Sequence, residues 1–435
     1  MVHDDGPVGL DRVRVRFDDE RVVSDAGIVV LATLAGRLGI EALVDRFVLL
    51  RPQRPGAHNA GRKVMSLVYA MALGADSIDD CDVLRSGRTR RLLGGWVAAP
   101  STLGTFLRAF TFGHVRQLDR VLAETLARAW RAGAGPGAER LLVDVDSFVG
   151  EVHGYQKQGA AFGYTKQRGY HPLLACRAET GEVLHVRLRK GSANTQRGIV
   201  RFADELIARV ARAGASGVKL LRADSGFWNN KLFARLEQAG WLYSIGVRMT
   251  RPVAELVAQI PEQAWTQVDD YPDTGEAQIA ETRLGGRRLI VRRVRSLGVQ
   301  AELFPVWRHY PFLTNRDEAI ALVEAEHRQH AVVELCIRDL KDQALEHFPS
   351  GQFNANAAST VIAALAHNLL RWTGVLGLPN STVRAARTLR RRLLALPGRL
   401  TSHAGHWTLH LPARWPWQED FGEALTRIRA LPTAT

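Results

Sequence analysis

The order of apolar and polar positions changes period along the chain. Over residues 1–138 apolar side chains recur mostly at helical spacing, as in 26–50 and 62–74, which predicts a helical region. Ser101 and Thr102 precede the periodic run Leu103, Phe106, Leu107 and Phe110, where a helix cap belongs. Segment 131–139, RAGAGPGAE, gathers Gly and Ala around Pro136 and marks a boundary. From Leu141 the period falls to two. Leu142, Asp144 and Asp146 share one face of a strand, and Leu141, Val143 and Val145 the other. A Gly-rich stretch leads to a strand at 171–178, a turn at 179–182 and a returning strand at 183–190. A helix over 195–214, a strand over 218–223 ending at Asp224, a helix from Asn229 and a strand at 241–247 follow. This order, an antiparallel meander entering a βαβ unit, predicts a mixed sheet with helices on its faces.

Residues 250–315 read as strand-rich, with strands at 265–268, 276–282, 287–294 and 302–307 and a hairpin turn at Gly285-Gly286. Helical spacing returns over 316–372. The tail carries Arg384, Arg387, Arg390, Arg391 and Arg392, then His403, His406 and Trp407. No internal repeat is visible. The chain divides into 1–138, 139–249, 250–315, 316–375 and 376–435.

Composition narrows the function class. With 435 residues, 46% hydrophobic and 23% charged, the chain is neither disordered nor fibrous. Lys and Arg number 58 against 44 Asp and Glu, a net charge of +14 that favours a polyanion, most simply nucleic acid, although an anionic membrane would also attract it. Cys81, Cys176 and Cys336 stand far apart with no CxxC pair, which excludes a zinc ribbon or finger and fits a reducing cytoplasm. The start, MVHDDGPVGLDRV, lacks the apolar stretch of a signal peptide, and the longest apolar run, 64–75, is too short to span a bilayer. The expectation is a soluble cytoplasmic protein, associated with the nucleoid when bound to DNA.

Asp144 and Asp146 share a strand face, and Asp224 stands at a strand end, where α/β sheets build their sites. A helix read over 327–342 carries Glu334 in a polar stripe with His327, His330, Arg338 and Lys341, backed by Val333, Cys336, Ile337 and Leu340. Three carboxylates from three elements can hold two Mg²⁺ ions ~3.5–4 Å apart for an in-line phosphoryl displacement. Arg338 and Lys341 would then hold the phosphates of the scissile strand. Each feature also has a plain reading. A strand-end Asp often caps a turn, and a charged helix stripe is often a solvated face. His327 and His330 as a zinc pair lack a third ligand. The arginine run at 384–392 suits either a solvated face or phosphate contact. Trp372 and Trp407 are expected in the core.

Taken together, several segments resemble the DDE transposases of bacterial insertion sequences. They are DVDSFVGEVHG (144–154), KQGAAFGYTKQRGYHPLLA (157–175), RADSGFW (222–228) and HRQHAVVELCIRDLKD (327–342). DSIDDCDVLRSG (76–87), APSTLGTFLRAFTFGHVRQLD (99–119) and FNANAASTVIAALAHNLLRW (353–372) join them, so the likeness spans nearly the whole chain. It is nearest to the insertion sequence 1380 family of the insertion-sequence-4-like branch. The resemblance implies a ribonuclease-H-like α/β core, a β-rich insertion between the second and third acid, and an N-terminal helical DNA-binding region. Asp146, Asp224 and Glu334 take the positions of the catalytic acids that bind Mg²⁺, or Mn²⁺, with Asp144 a supporting neighbour.

The branch also carries Tyr, Arg, Glu and Lys at fixed spacing around its third acid. Glu334 and Lys341 fit, while His327 stands at the Tyr position and His330 at the Arg position. Histidine there loses the permanent bidentate fork of arginine. Arg328 is the nearby guanidinium able to compensate if the helix register allows it. The implied activity is cut-and-paste transposition through a hairpin intermediate. The chain would bind terminal inverted repeats and target DNA as a homodimer. Lys341, Arg338, His327 and His330 would position phosphate, and Arg85, Arg88, Arg90, Arg91 and Arg108 would contribute to end binding. Two alternatives share the same acids: a nuclease of the same fold without strand transfer, and a DNA-binding derivative that has lost catalysis.

Overall fold

The computed structural model describes residues 10–163, 166–269, 271, 275–296, 307–380 and 385–434. Arg384, most of the strand expected at 302–307, and residues 164–165 of one quoted segment lie outside them. The described chain opens with a short strand, β1 (Val22–Val23), and six helices: α1 (Ile28–Leu38), α2 (Ile40–Phe47), α3 (Ala60–Leu73), α4 (Thr89–Leu92), α5 (Pro100–Arg108) and α6 (Phe112–Ala129). The expected helix over 26–50 is two helices. Gly39 between them takes φ 63°, the left-handed conformation open to glycine, and its N–H closes the end of α1. Ser101 and Thr102 do not cap α5. The helix begins one residue earlier at Pro100, whose ring presets the helical φ. The apolar run at 64–75 falls mostly within α3, and no helix among the described residues is long and apolar enough to cross a membrane.

The chain then builds β2 (Leu141–Ser147), β3 (Gly150–Glu151), β4 (Ala161–Phe162), β5 (Arg168–Tyr170), β6 (Leu173–Arg177), β7 (Val183–Arg187), α7 (Ile199–Ala213), β8 (Lys219–Ala223), α8 (Asn230–Gln238) and β9 (Leu242–Gly246). The meander-then-βαβ order is present as expected. A helix absent from the sequence reading, α9 (Arg251–Ala258), precedes β10 (Thr266–Gln267), β11 (Gly275–Leu284), β12 (Arg287–Ser296) and β13 (Arg308–Thr314). The turn at Gly285 and Gly286 has φ 58° and 81°, the two positive values of a type I′ hairpin, and Leu284 faces Arg287 across it. The main sheet has nine strands in the order β10-β11-β12-β13-β9-β8-β2-β6-β7, while β3, β5 and β4 form a small sheet beside it. Pairing is parallel for β2–β8 and β8–β9, and antiparallel for β2–β6, β6–β7 and β9–β13. The strand-rich block thus extends one edge of the main sheet, because β13 pairs with β9.

The single helix expected over 327–342 is divided. α10 (Ile320–Arg328) tightens into a 3₁₀ turn at Gln329–Ala331 before α11 (Val332–Leu340), and a wider turn follows over Lys341–Leu345. The reason is tertiary: Phe312 and Ser244 hold His327 while Asp144 holds His330, and the tighter turn lets both reach. α12 (Phe353–Gly377) is buried on nearly every side, which its alanine-rich sequence permits. It packs against α1, α3, α5, α6 and β7. Beyond it come α13 (Ala386–Leu389), the hairpin β14 (Gly398–His403) and β15 (His406–His410), and α14 (Gln418–Ala430). β14 pairs with β1, and α14 packs on α1 and α12, so the two ends of the chain meet. Trp372 is fully buried as expected, but Trp407 on β15 is 54% exposed, because it sits opposite Ser402 near the hairpin turn, past the small cluster of Val23, Ala26 and Leu400.

A charged network fastens α6 and α7 to the edge strand β7. Arg209 bonds Asp119 at 2.7 Å, Arg116 reaches Asp119 and Glu205, Arg187 and Arg201 reach Glu205, and His185 Nε2 lies 3.0 Å from Glu205. Burial alone would raise the Asp119 carboxyl, but Arg209 and His185 outweigh it and hold the group well below the usual carboxylate range. Glu205 is likewise held at about 2, its burial overcome by the His185 hydrogen bond and by Arg187. Carboxylates depressed in the fold stabilise it above their unfolded range and lose that contribution as pH falls. Arg209→Ala leaves the buried Asp119 with only Arg116 and His185 and should cost about 2–3 kcal/mol near neutral pH. Chemical unfolding at pH 7 and pH 3 should show the difference between wild type and variant shrinking in acid; a constant difference would refute this account.

Candidate active site

Asp144 and Asp146 both lie on β2, between β6 and β8. Asp144 is fully buried and already occupied. Arg222, its register partner on β8, grips it through two bonds, Nε to Oδ1 at 2.7 Å and Nη2 to Oδ2 at 2.8 Å. The third direction of that guanidinium is used as well: Nη1 donates to the Glu326 carbonyl, in the last turn of α10, at 2.5 Å. His330 Nδ1 lies 3.1 Å from Asp144 Oδ1. Asp144 is therefore a structural anchor. Sequence reasoning singled out no role for Arg222; its signal was a charged residue inside an apolar strand, level with an acid.

Asp146 is half-buried, and its Oδ1 accepts the Ser147 N–H at 2.6 Å. Asp224 is exposed at the end of β8, where Oδ1 accepts the Gly226 N–H at 2.9 Å and caps a 3₁₀ turn at Ser225–Phe227. The capping reading is thus correct for one oxygen. This turn rests on β9: a Cβ at Gly246 would stand 2.7 Å from the Ser225 nitrogen, so glycine is what lets the Asp224 turn seat. Glu334 is exposed in the first turn of α11, which packs on β2.

These three carboxylates act on one another. Burial raises the Asp146 carboxyl to about 6; the charges of Asp224 and Glu334 raise it too, while the Ser147 N–H and His330 oppose them. Among the described residues none of the three is paired with a lysine or arginine. Mutually interacting, unpaired hard oxygen donors from three elements suit a divalent cation such as Mg²⁺. A tighter set exists elsewhere: candidate ligand atoms of Asp119, His185 and Glu205 all lie within 4.8 Å. Its four arginines already neutralise two carboxylates, so a cation would have to displace guanidinium groups; that set is the structural network above.

The expected phosphate-binding residues are placed unequally. Arg338 is exposed one turn beyond Glu334, and the Lys341 ammonium lies 5.6 Å from the ring of Phe148, two residues past Asp146. His330 joins the acids through Asp144. His327 is turned away, stacked on Phe312 with ring centroids 4.1 Å apart and bonded to Ser244 Oγ at 2.9 Å. Burial first, then the charges of His330, Arg292 and Arg222, push its pKa down to about 3, so it is neutral at physiological pH. Arg328 approaches Glu324 at 3.6 Å and the Tyr271 ring at 5.8 Å. The N-terminal arginines stand on other elements. Arg88 donates to the Leu400 carbonyl at 2.9 Å and lies over Trp407, so it braces the C-terminal hairpin. Arg85 pairs with Asp82, Arg90 and Arg91 are exposed, and Arg108 is exposed beside Thr105 on α5.

The family model described as transposase DDE domain, group 1, matches residues 6–433. The chain belongs to this transposase family. Its enzymes are nucleases and transesterases that generally use divalent metal ions. No curated protein matches the chain. Among solved structures it is similar to a piggyBac transposase, seen by cryo-electron microscopy in a synaptic complex with hairpin DNA. That likeness has 13% identity and a TM-score of 0.46, over 95% of this chain and 84% of the other.

The raised Asp146 pKa makes a prediction about this transposase without metal. A carboxyl whose folded pKa lies above its unfolded value holds its proton better in the fold, so its effect on stability worsens as pH rises from about 4 through 6. Asp146→Asn should therefore raise the stability of metal-free protein by about 1–2 kcal/mol at pH 7 and by almost nothing at pH 4. Melting temperatures in chelator at both pH values test it, and a variant no more stable at pH 7 would exclude a repelling acid cluster.

Proposed function

We propose that this transposase moves an insertion sequence by binding its terminal inverted repeats, cleaving a phosphodiester at each end and joining the freed 3′-hydroxyl to target DNA. The observation that carries this reading is the convergence of Asp146, Asp224 and Glu334, unpaired, at β2, the end of β8 and α11. The five-strand order β7-β6-β2-β8-β9, with β6 alone antiparallel, supports a ribonuclease-H-like core extended by the β10–β13 block. The quoted segments support the insertion sequence 1380 family within the insertion-sequence-4-like branch, and with it a hairpin intermediate.

Asp146, Asp224 and Glu334 would hold two Mg²⁺ ions, with Mn²⁺ a substitute. When bound, the metal supplies Lewis-acid activation of water and charge stabilisation at the leaving oxygen. Asp144 fixes the ring of His330 beside the acids, as carboxylates orient histidine at metal sites. Lys341 and Arg338 bind and align the phosphates of the scissile strand. His327 is neutral and supports the fold of α10 against β13, so any phosphate contact it makes is as a neutral donor. Arg328, Arg90 and Arg108 offer positive charge to more distant DNA, with Arg88 securing the hairpin beside them. Two DNA ends must be paired, which suits a homodimer.

Labelled DNA carrying the element end, with Mg²⁺, should be nicked by wild type. Asp224→Ala should nick at least about a thousandfold more slowly, a loss of about 4 kcal/mol of transition-state stabilisation. Hairpin or joined products select a transposase over a nuclease without strand transfer. Binding with no nicking, in Mn²⁺ and with paired ends, would instead support a DNA-binding derivative.

A further inference from the structure

The C-terminal segment gathers three arginines around one surface concavity, two of them exposed. Most buried guanidinium groups in this chain meet a carboxylate, as Arg209, Arg222 and Arg371 do. Arg387, Arg391 and Arg392 pair with no carboxylate among the described residues. With Thr388 and Trp417 they line a surface cavity of about 330 Å³. Arg390 between them turns inward, its Nε donating to the Ala72 carbonyl at 3.1 Å.

Three like charges around one concavity repel one another, and a cavity wall of protein strengthens the repulsion relative to open water. Two features hold Arg392 there. The Arg392 guanidinium lies 5.5 Å over the Trp417 ring, and the Trp415 indole N–H donates to the Arg392 carbonyl at 3.1 Å. The Arg392 Nε is buried with no hydrogen-bond partner. The lining thus presents positive charge with no carboxylate partner among the described residues. The segment is anchored on the helix that carries Glu334, since the Ala386 N–H at the start of α13 bonds the buried Asp339 Oδ2 on α11 at 3.1 Å. Glu334 and Arg338 lie on that same helix.

We propose that the Arg387–Arg391–Arg392–Trp417 cavity binds the phosphodiester backbone of the element-end DNA, a contact outside the acid triad. This rests on the transposase reading for the identity of the polyanion. Arg387 and Arg391 grip phosphate oxygens, and Trp417 keeps Arg392 aimed into the cavity.

The test is the salt dependence of full-length protein binding to duplex carrying the element end. Arg387→Ala/Arg391→Ala should reduce the slope of log K against log salt by about two and weaken binding about tenfold or more near 0.15 M salt. Arg387→Lys/Arg391→Lys should recover most of the slope, because charge is retained. Arg251→Ala, at an exposed arginine on α9, should leave the slope unchanged. A wild-type slope in the double alanine variant overturns the inference, even if calorimetry with inorganic phosphate shows that a free-phosphate site has been lost. A wild-type protein that binds but does not nick with Mg²⁺ or Mn²⁺ counts against the catalytic reading while the slope still reads this cavity.

Discussion

The buried pair of Asp144 and Arg222 is the constraint on which the rest of the site depends. Both side chains are almost fully removed from water, at 0% and 1% exposure. Burying two charges is costly unless geometry and further hydrogen bonds offset the lost hydration. Here each charge is met: Arg222 contributes two bonds to Asp144 and one to the Glu326 carbonyl, and His330 adds a contact to the acid. One guanidinium thereby joins β2, β8 and the end of α10. Those elements carry Asp146, lead to Asp224 and deliver the chain into the helix of Glu334.

The same electrostatic logic separates structure from chemistry across the molecule. Acids that hold the fold are matched by arginines, as in the network joining α6, β7 and α7. The acids proposed for catalysis are unmatched and repel one another, which is the cost of a site prepared for an added cation. The arginines of the cavity at 387–392 show the converse: an excess of positive charge prepared for an anion. A net charge of +14 alone does not distinguish these places. What distinguishes them is whether a counter-charge lies within reach.

Much of the frame was legible because it is written in local periods. The change from helical spacing to alternation at Leu141, the βαβ order and the Gly285-Gly286 turn all appear in the structure. Breaks were less legible. Gly39 divides a helix that apolar spacing alone runs together, and the turn at Gln329–Ala331 divides another whose stripe reads as continuous. In the second case the cause is non-local. Phe312 and Ser244 hold His327, and Asp144 holds His330, from strands distant in the chain.

By itself the sequence determined the order of elements, the family and the acids that stand on separate elements, because period, turn chemistry and motif order are properties of neighbouring residues. Only the tertiary structure decided which charges are matched. It joined Asp144 to Arg222, left Asp146 within electrostatic reach of Asp224 and Glu334, withdrew His327 as a neutral ring and turned Arg88 into a brace for the hairpin. Coulomb interactions and desolvation depend on distance through space and on burial, and neither quantity is carried by position along the chain.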